Sequence, residues 1–250
     1  MKPFLSVVIP SYNEMSNIRR GVLAAVLEFL EKQTYSWEII LSDDGSTDGT
    51  LGELYAFAKD DVRIRVLDNI HAGKAPTVRA GMEEAVGKWR LFTDFDQSTP
   101  LSEVSKLFVE AERGCDVVIG SREISGALRD KEPLHRHIMG KGFNFFVQTM
   151  AVPGVHDTQC GFKLFSEAAT EVLFSKLVVY GSREQRTDAF TGAFDVELLF
   201  LARKFGFRIA EVPIRWKYAD SIRVSPLKDS LRMLRDIMKI RVADLMGKYE

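Results

Sequence analysis

Five short apolar runs, four of them ending in a polar cluster and the first four each followed by a stretch of helical spacing, constrain what the first half of this 250-residue chain can fold into. Leu5–Ile9 is rich in β-formers and stops at Pro10. Asn17–Gln33 places Ile18, Val22, Ala25, Val26, Phe29 and Leu30 at helical intervals, with Ser16 as the expected N-cap. Trp37–Leu41, Val62–Leu67, Trp89–Thr93 and Asp116–Gly120 read as further strands. Thr50–Lys59, Lys74–Val86 and Leu101–Arg113 read as helices, with Pro76 tolerable in a first turn. Apolar strands alternating with helices imply a mainly parallel sheet covered on both faces. Ligands bind such sheets beyond the carboxyl ends of the strands. Tyr12–Glu14, Asp43-Asp44, Asp94/Asp96 and Ser121-Arg122 all follow strand ends, so four polar clusters should meet along one edge.

The second half is less regular. Gly161–Phe165 and Ile209–Trp216 read as strands, Phe194–Phe205 as a helix, and Tyr180–Thr191 as a polar loop. His135–Met150 mixes basic residues with Phe143, Phe145, Phe146 and Val147. Pro226–Met246 predicts a long amphipathic helix, with Leu227, Leu231, Leu234, Ile237, Met238, Val242 and Leu245 on one side and Lys228, Arg232, Arg235, Lys239 and Arg241 around the other. Repeats and low-complexity linkers are absent. One folded unit over residues 1–225 is expected, with 226–250 a helix packed on it or lying at a membrane surface.

Thirty-four Lys and Arg against 35 Asp and Glu give a formal net charge of −1, which argues against a nucleic-acid partner. Cys115 and Cys160 lie far apart in apolar contexts and read as buried, reduced thiols of a cytoplasmic protein. Met1-Lys2-Pro3 leads straight into the first strand, without the pattern of a signal peptide. No window reaches the roughly 18–20 uninterrupted apolar residues of a membrane span. Contact with a bilayer would instead come from segments lying at the interface, His135–Val152 and Pro226–Met246.

The chemistry concentrates in Leu91-Phe92-Thr93-Asp94-Phe95-Asp96. Side chains alternate along extended backbone, so Asp94 and Asp96 can point the same way at a strand end. Two hard oxygen ligands at that spacing suit Mg²⁺ or Mn²⁺ when a substrate diphosphate completes the shell. Near them, Tyr12 offers a ring beside a nucleotide base, while Glu14, Asp43 and Asp44 can accept hydrogen bonds from base or ribose. The run Asp43–Thr50 also reads as an Asx-rich turn and helix cap, and both roles can hold together.

In order and spacing, Val7-Val8-Ile9-Pro10-Ser11-Tyr12-Asn13-Glu14, Asp43-Asp44-Gly45-Ser46-Thr47-Asp48-Gly49-Thr50 and Asp94-Phe95-Asp96 resemble the inverting glycosyltransferases of family 2, with the GT-A fold. Gly73-Lys74, Ser98-Thr99-Pro100, Gly120-Ser121-Arg122, Asp157-Thr158-Gln159-Cys160-Gly161-Phe162-Lys163 and Phe194-Asp195-Val196-Glu197 look like the polyprenyl-phosphate sugar synthases, and most like the dolichyl-phosphate β-glucosyltransferase subgroup. The resemblance runs from about Leu5 to Arg241. It implies an α/β GT-A domain, a nucleotide-sugar donor, a polyprenyl-phosphate acceptor and a peripheral position at the inner face of a membrane.

On that resemblance Asp96 is a direct metal ligand and Asp94 contacts ribose, metal or both. Pro10, Tyr12, Glu14, Asp43, Asp44, Lys74 and Asp94 form the nucleotide site. Arg122, Arg129, Lys217 and Arg223 hold phosphates, and Asp157 sits near the sugar or acceptor, with Asp96, Asp157 and Arg122 as the catalytic set. A phosphate acceptor is already largely ionised near neutral pH, so no catalytic His is required of His71, His135, His137 or His156. Three departures from the pattern stand out: Gln97 after the acidic pair, Asp220-Ser221-Ile222-Arg223-Val224 in place of Gly-Ser-Lys-Leu, and the charged Tyr180–Thr191 loop.

The expected reaction is hexose transfer, with UDP-glucose the first donor and GDP-mannose, or a soluble glycan acceptor, the alternative. A nucleotidyltransferase would carry a Gly-rich basic loop after the first strand, where Pro10–Glu14 stands instead. A nucleotide-sugar-binding regulatory module would not need the acidic pair.

Overall fold

The computed structural model describes residues 2–130, 144, 146–181, 192–217 and 226–250, with side chains from residue 231 onward in the last stretch. Its centre is a seven-stranded sheet of strands β1 (Leu5–Ser11), β2 (Trp37–Asp43), β3 (Ile64–Asp68), β4 (Trp89–Thr93), β5 (Val117–Ser121), β7 (Phe162–Ser166) and β8 (Ile209–Pro213), in the order β3-β2-β1-β4-β7-β5-β8. All neighbours pair in parallel except β7, which runs antiparallel between β4 and β5. A two-stranded ribbon of β6 (Leu128–Arg129) and β9 (Arg215–Trp216) stands beside it. This is the α/β GT-A architecture.

Strand alternation sorts the core into two layers. Val8, Ile40, Phe92, Ile119 and Phe165 point to one face, and Val7, Ile9, Ile39, Leu41, Leu91 and Leu164 to the other. The first face is covered by α4 (Lys74–Glu84), α6 (Glu167–Ser175), α7 (Phe194–Lys204) and α8 (Pro226–Leu245), through Val78, Met82, Leu173, Leu198 and Ile240. The second is covered by α2 (Val22–Glu31), α3 (Thr50–Ala58) and α5 (Val104–Glu112), through Val26, Leu30, Leu54 and Leu107. Burial on both sides explains why the strands read as continuous apolar runs rather than alternating ones.

Several expectations are corrected. The helix expected over 17–33 is two: α1 (Met15–Arg19) and α2, separated by Gly21 at φ 77°, a left-handed conformation open to glycine. Glu14, not Ser16, occupies the N-cap position of α1. Leu101–Glu103 forms a 3₁₀ turn before α5, and the strand expected over 209–216 breaks after Pro213 into β8 and β9. The helix α6 had no expectation at all. In α8 the apolar side divides: Ile237, Ile240 and Ala243 enter the core, whereas Leu231, Met238, Val242 and Leu245 are exposed. Among the described residues no helix is long and apolar enough to cross a membrane. Most of His135–Met150, nearly all of the Tyr180–Thr191 loop, and Arg223 lie outside the described residues.

Candidate active site

The carboxyl ends of β1, β2, β4 and β5 bring the expected clusters to one edge of the sheet. Pro10 and Ser11 finish β1, paired with Ser42 and Asp43 of β2. Pro10 lies beyond the last β1–β4 pair, Val8 with Phe92, so its missing N–H interrupts no ladder on that side. Asp43 is fully buried. It accepts hydrogen bonds from the Ser11 hydroxyl (3.0 Å), the Ser46 hydroxyl (2.6 Å) and the Ser46 N–H (2.8 Å).

Asp44, also buried, accepts from the Ala72 N–H at 2.8 Å and the Gly73 N–H at 3.1 Å, and lies 2.9 Å from His71 Nδ1. These contacts fasten the turn that starts α4. His71 in turn stacks on Tyr12, with ring centroids 4.3 Å apart and planes 7° from parallel. Glu14 accepts from the Asn17 amide, and its N–H donates to Thr50 Oγ1 at 2.8 Å. The first two strand ends thus form a hydrogen-bonded cradle with an aromatic plate at its rim.

The end of β4 is built differently. Asp96 Oδ1 accepts the Ser98 N–H at 2.8 Å, which closes a turn. The Lys74 ammonium, at the start of α4, donates to Asp94 Oδ1. A Cβ built on Gly161 would lie 1.9 Å from Asp94 Oδ2, so only glycine lets that carboxylate seat against β7. Gln97, at φ 51°, donates to the Asp94 carbonyl at 2.9 Å and to Thr93 Oγ1 at 3.2 Å. Burial, then the neighbouring Asp94 charge, raises the Asp96 carboxyl above its ordinary range. Burial opposes the Lys74 charge, but Asp94, Asp195 and Asp96 outweigh it and hold the ammonium above the usual lysine range.

Among the described residues no group of three or more His, Cys, Asp or Glu side chains is placed to hold a metal. Two carboxylates are nevertheless what a Mg²⁺ or Mn²⁺ site needs when a diphosphate supplies the remaining oxygens. Asp94 and Asp96 are hard oxygen donors, share one strand end, and are crowded by like charge. The residues fit such an ion.

Opposite them, Arg122 at the end of β5 is locked to Asp157, with Nε to Oδ2 and Nη2 to Oδ1 both at 2.7 Å and the Arg122 N–H to Oδ2 at 2.8 Å. Burial opposes the Asp157 charge, yet the guanidinium wins and holds its carboxyl below the ordinary range. Arg129 pairs with Glu123, and the Arg122 and Arg129 guanidinium carbons lie 5.4 Å and 5.5 Å from the Trp216 ring centroid. The Lys217 N–H donates to the Ser98 carbonyl at 2.8 Å, which ties the basic ribbon to the acidic turn. Burial pushes the Cys160 thiol up to about 12, so it is no nucleophile.

Two site residues escaped the sequence reading. Lys163, in β7, is fully buried; its ammonium donates to the Cys160 carbonyl and lies 2.5 Å from Asp195 Oδ1. Asp195, in the first turn of α7, is buried as well. Burial raises its carboxyl, with Lys163 and then Lys74 opposing. The available signal was a single charge set among apolar neighbours in Phe162-Lys163-Leu164-Phe165 and in Phe194-Asp195-Val196. Such charges are rarely buried unless paired.

Comparison with known proteins accords with this geometry. Residues 6–174 match the family model described as "Glycosyl transferase family 2". The dolichyl-phosphate beta-glucosyltransferase of Dictyostelium discoideum is 34% identical over 99% of this chain and 76% of its own length. That of Saccharomyces cerevisiae is 34% identical over 98% and 76%. Among solved structures, glucosyl-3-phosphoglycerate synthase from Mycobacterium tuberculosis, in complex with Mn²⁺, uridine diphosphate and glucosyl-3-phosphoglycerate, aligns with a TM-score of 0.61. It is 18% identical and covers 99% of this chain and 80% of the other. At that identity the likeness speaks for the fold alone. With a GT-A sheet, an acidic pair at the end of its fourth strand and a family match over most of its length, this chain belongs to glycosyl transferase family 2 and is a glycosyltransferase.

Proposed function

We propose that the protein transfers glucose from UDP-glucose to dolichyl phosphate, with inversion at the anomeric carbon and in dependence on a divalent cation. One observation carries the reading: Asp94 and Asp96 stand at the β4 end between the cradle of Tyr12, Asp43 and Asp44 and the basic group of Arg122, Arg129 and Lys217. The relatives named above supply the substrate class, since both are dolichyl-phosphate beta-glucosyltransferases along nearly the whole of this chain.

In this arrangement Tyr12 lies beside the base, with Pro10, Glu14, Asp43 and Asp44 shaping the pocket that receives the nucleoside. Asp94 and Asp96 would hold the ion, and Lys74 pairs with Asp94 at the edge of the nucleotide site. When bound, a divalent cation supplies Lewis-acid neutralisation of the charge on the departing diphosphate. Arg122, fixed by Asp157, keeps Nη1 outside that pair and available to the acceptor phosphate. Arg129 and Lys217 complete the positive side, and Arg223 is assigned to the diphosphate by the family resemblance alone.

An acceptor phosphate oxygen forms the new bond to the sugar C1 as the bond from C1 to the UDP oxygen breaks. The attacking oxygen is already ionised, since the second phosphate pKa is about 6, so no residue has to take a proton. Positioning and fixed charge then account for the rate. A lipid acceptor places the protein at the cytoplasmic face of a membrane, with the exposed Leu231, Met238, Val242 and Leu245 of α8 toward the interface.

The test is a thermal-shift panel of UDP-, GDP- and CDP-sugars with and without Mn²⁺, followed by transfer of labelled sugar to dolichyl phosphate. UDP-glucose should stabilise only with metal and yield a labelled lipid phosphate. A shift with GDP-mannose alone would replace the donor; transfer only to water-soluble glycans would replace the acceptor.

A further inference from the structure

Behind the acidic pair lies a buried ion pair, Lys163 with Asp195, to which the transfer chemistry assigns no role. Phe92, fully buried in β4, is its hub. The Lys74 ammonium lies 5.4 Å from the Phe92 ring centroid and the Lys163 ammonium 5.6 Å. Lys163 is the β7 residue paired directly with Phe92 across the sheet. The Phe194 ring, one residue before Asp195, packs 5.8 Å from the same ring. Two cations and two carboxylates, Lys74 with Asp94 and Lys163 with Asp195, are therefore gathered around one aromatic side chain.

The two pairs differ in what surrounds them. Lys163 is fully enclosed and holds the Cys160 carbonyl as well as Asp195, so it cannot move without breaking the core. Lys74 sits on a flexible stem in the first turn of α4, with a quarter of its side chain exposed, and is free to change partner. A dication taking Asp94 as ligand would repel an ammonium on the same carboxylate, and Lys74 then needs another anion within reach. Asp195 is the carboxylate paired with the other ammonium on the Phe92 ring, and the two ammonium groups lie 5.4 Å and 5.6 Å from that ring's centroid.

We propose that Asp195, anchored by Lys163, is a positioning residue: it receives the Lys74 ammonium when Asp94 turns to a divalent cation. The proposal rests on the metal-dependent reading above and adds to it a partner exchange behind the ligands. Asp195 touches neither donor nor acceptor in this scheme; it acts through Lys74.

The test is a double-mutant cycle read by Mn²⁺ binding to the full chain at saturating UDP, followed by the electron paramagnetic resonance signal of free Mn²⁺. Asp195→Asn should weaken Mn²⁺ binding about tenfold, the loss expected when a group that orients a metal ligand is removed. Lys74→Met with Asp195→Asn should bind Mn²⁺ as Lys74→Met alone does, because the second substitution has nothing left to act on. A purely structural Asp195 would lower binding equally in both backgrounds, and that result overturns the proposal. So does Asp195→Asn binding Mn²⁺ like the wild type. If Asp195→Asn strands Lys163 and prevents folding, the same cycle run on Lys163→Met/Asp195→Asn removes both buried charges together. Loss of transfer to dolichyl phosphate with the cycle intact counts against the substrate reading only. Intact transfer with an additive cycle counts against the partner exchange only.

Discussion

The carboxylates at the ends of β2 and β4 look alike in sequence and differ in what they are bound to. Asp43 and Asp44 are saturated by groups that cannot leave: two serine hydroxyls, the backbone N–H groups of Ser46, Ala72 and Gly73, and the ring of His71. Asp94 and Asp96 are held by one lysine ammonium on a flexible stem and one turn N–H. A carboxylate locked by backbone donors shapes a pocket; one held by an exchangeable partner can take a ligand. Their surroundings, more than their charge, separate scaffold from chemistry.

The sharpest way to break the comparison is to remove one residue from each side. Asp96→Ala should abolish the Mn²⁺-dependent shift with UDP-glucose and slow transfer by about a thousandfold, the scale of losing Lewis-acid stabilisation, with little change in melting temperature. Retention of the shift would remove Asp96 from the ligand set. Asp44→Ala should do the reverse, costing about 2–4 kcal/mol of folding stability because the Ala72 and Gly73 N–H groups are left unsatisfied. Urea unfolding measures it, and a stable but inactive Asp44→Ala would erase the distinction.

Arg122 and Asp157 extend the contrast to the end of β5. Removing one partner of so buried a pair should cost about 3–5 kcal/mol, so Asp157→Ala should unfold well before the wild type in urea. The sign with pH follows from the lowered Asp157 carboxyl. A group with a depressed folded value contributes stability that is complete above its unfolded value and lost as pH falls through the folded one. Wild-type stability should therefore decline from about pH 4 downward, and the isosteric Asp157→Asn, less stable at neutral pH, should show a shallower decline there. Equal slopes would mean that the pair does not govern the acid limb.

Smaller effects sharpen the picture. Gly161→Ala intrudes on Asp94 and should weaken metal-dependent UDP binding by about 10- to 100-fold in calorimetry, without touching metal-free binding. Tyr12→Ala removes the plate stacked on His71 and should cost about 1 kcal/mol in UDP affinity, with or without metal. A metal-dependent Tyr12 effect would place the ring at the diphosphate rather than the base.

The parts of this molecule readable from sequence are those whose cause is local. Pro10, the apolar runs and the placement of Asp94 beside Asp96 follow from periodicity and from the strand end, and β4 falls where the pattern puts it. Gly21 broke a helix that the apolar spacing of Ile18 and Val22 carried straight through, because spacing reports burial and not backbone conformation. The β7 insertion and the Lys163–Asp195 pair were hidden for another reason. Both depend on residues far apart in the chain, and a buried lysine in Phe162-Lys163-Leu164-Phe165 announces a partner without naming it. Likewise Asp43 and Asp44 showed their charge in sequence, but the backbone groups that claim them come from the turn before α4.

The antiparallel β7 has a consequence for how the chain is made. Vectorial synthesis releases β4 and β5 long before Phe162–Ser166 emerges, yet those two strands meet only through it. Until then each presents an open edge, the kind of exposed strand that invites wrong pairing. Gly161, which seats Asp94, arrives with the same segment. Nascent chains that stop short of it should carry the hydrogen-bonded cradle of β1 and β2 but no finished acidic site, so competence for chemistry is postponed at least until the strand that joins β4 to β5 has come off the ribosome.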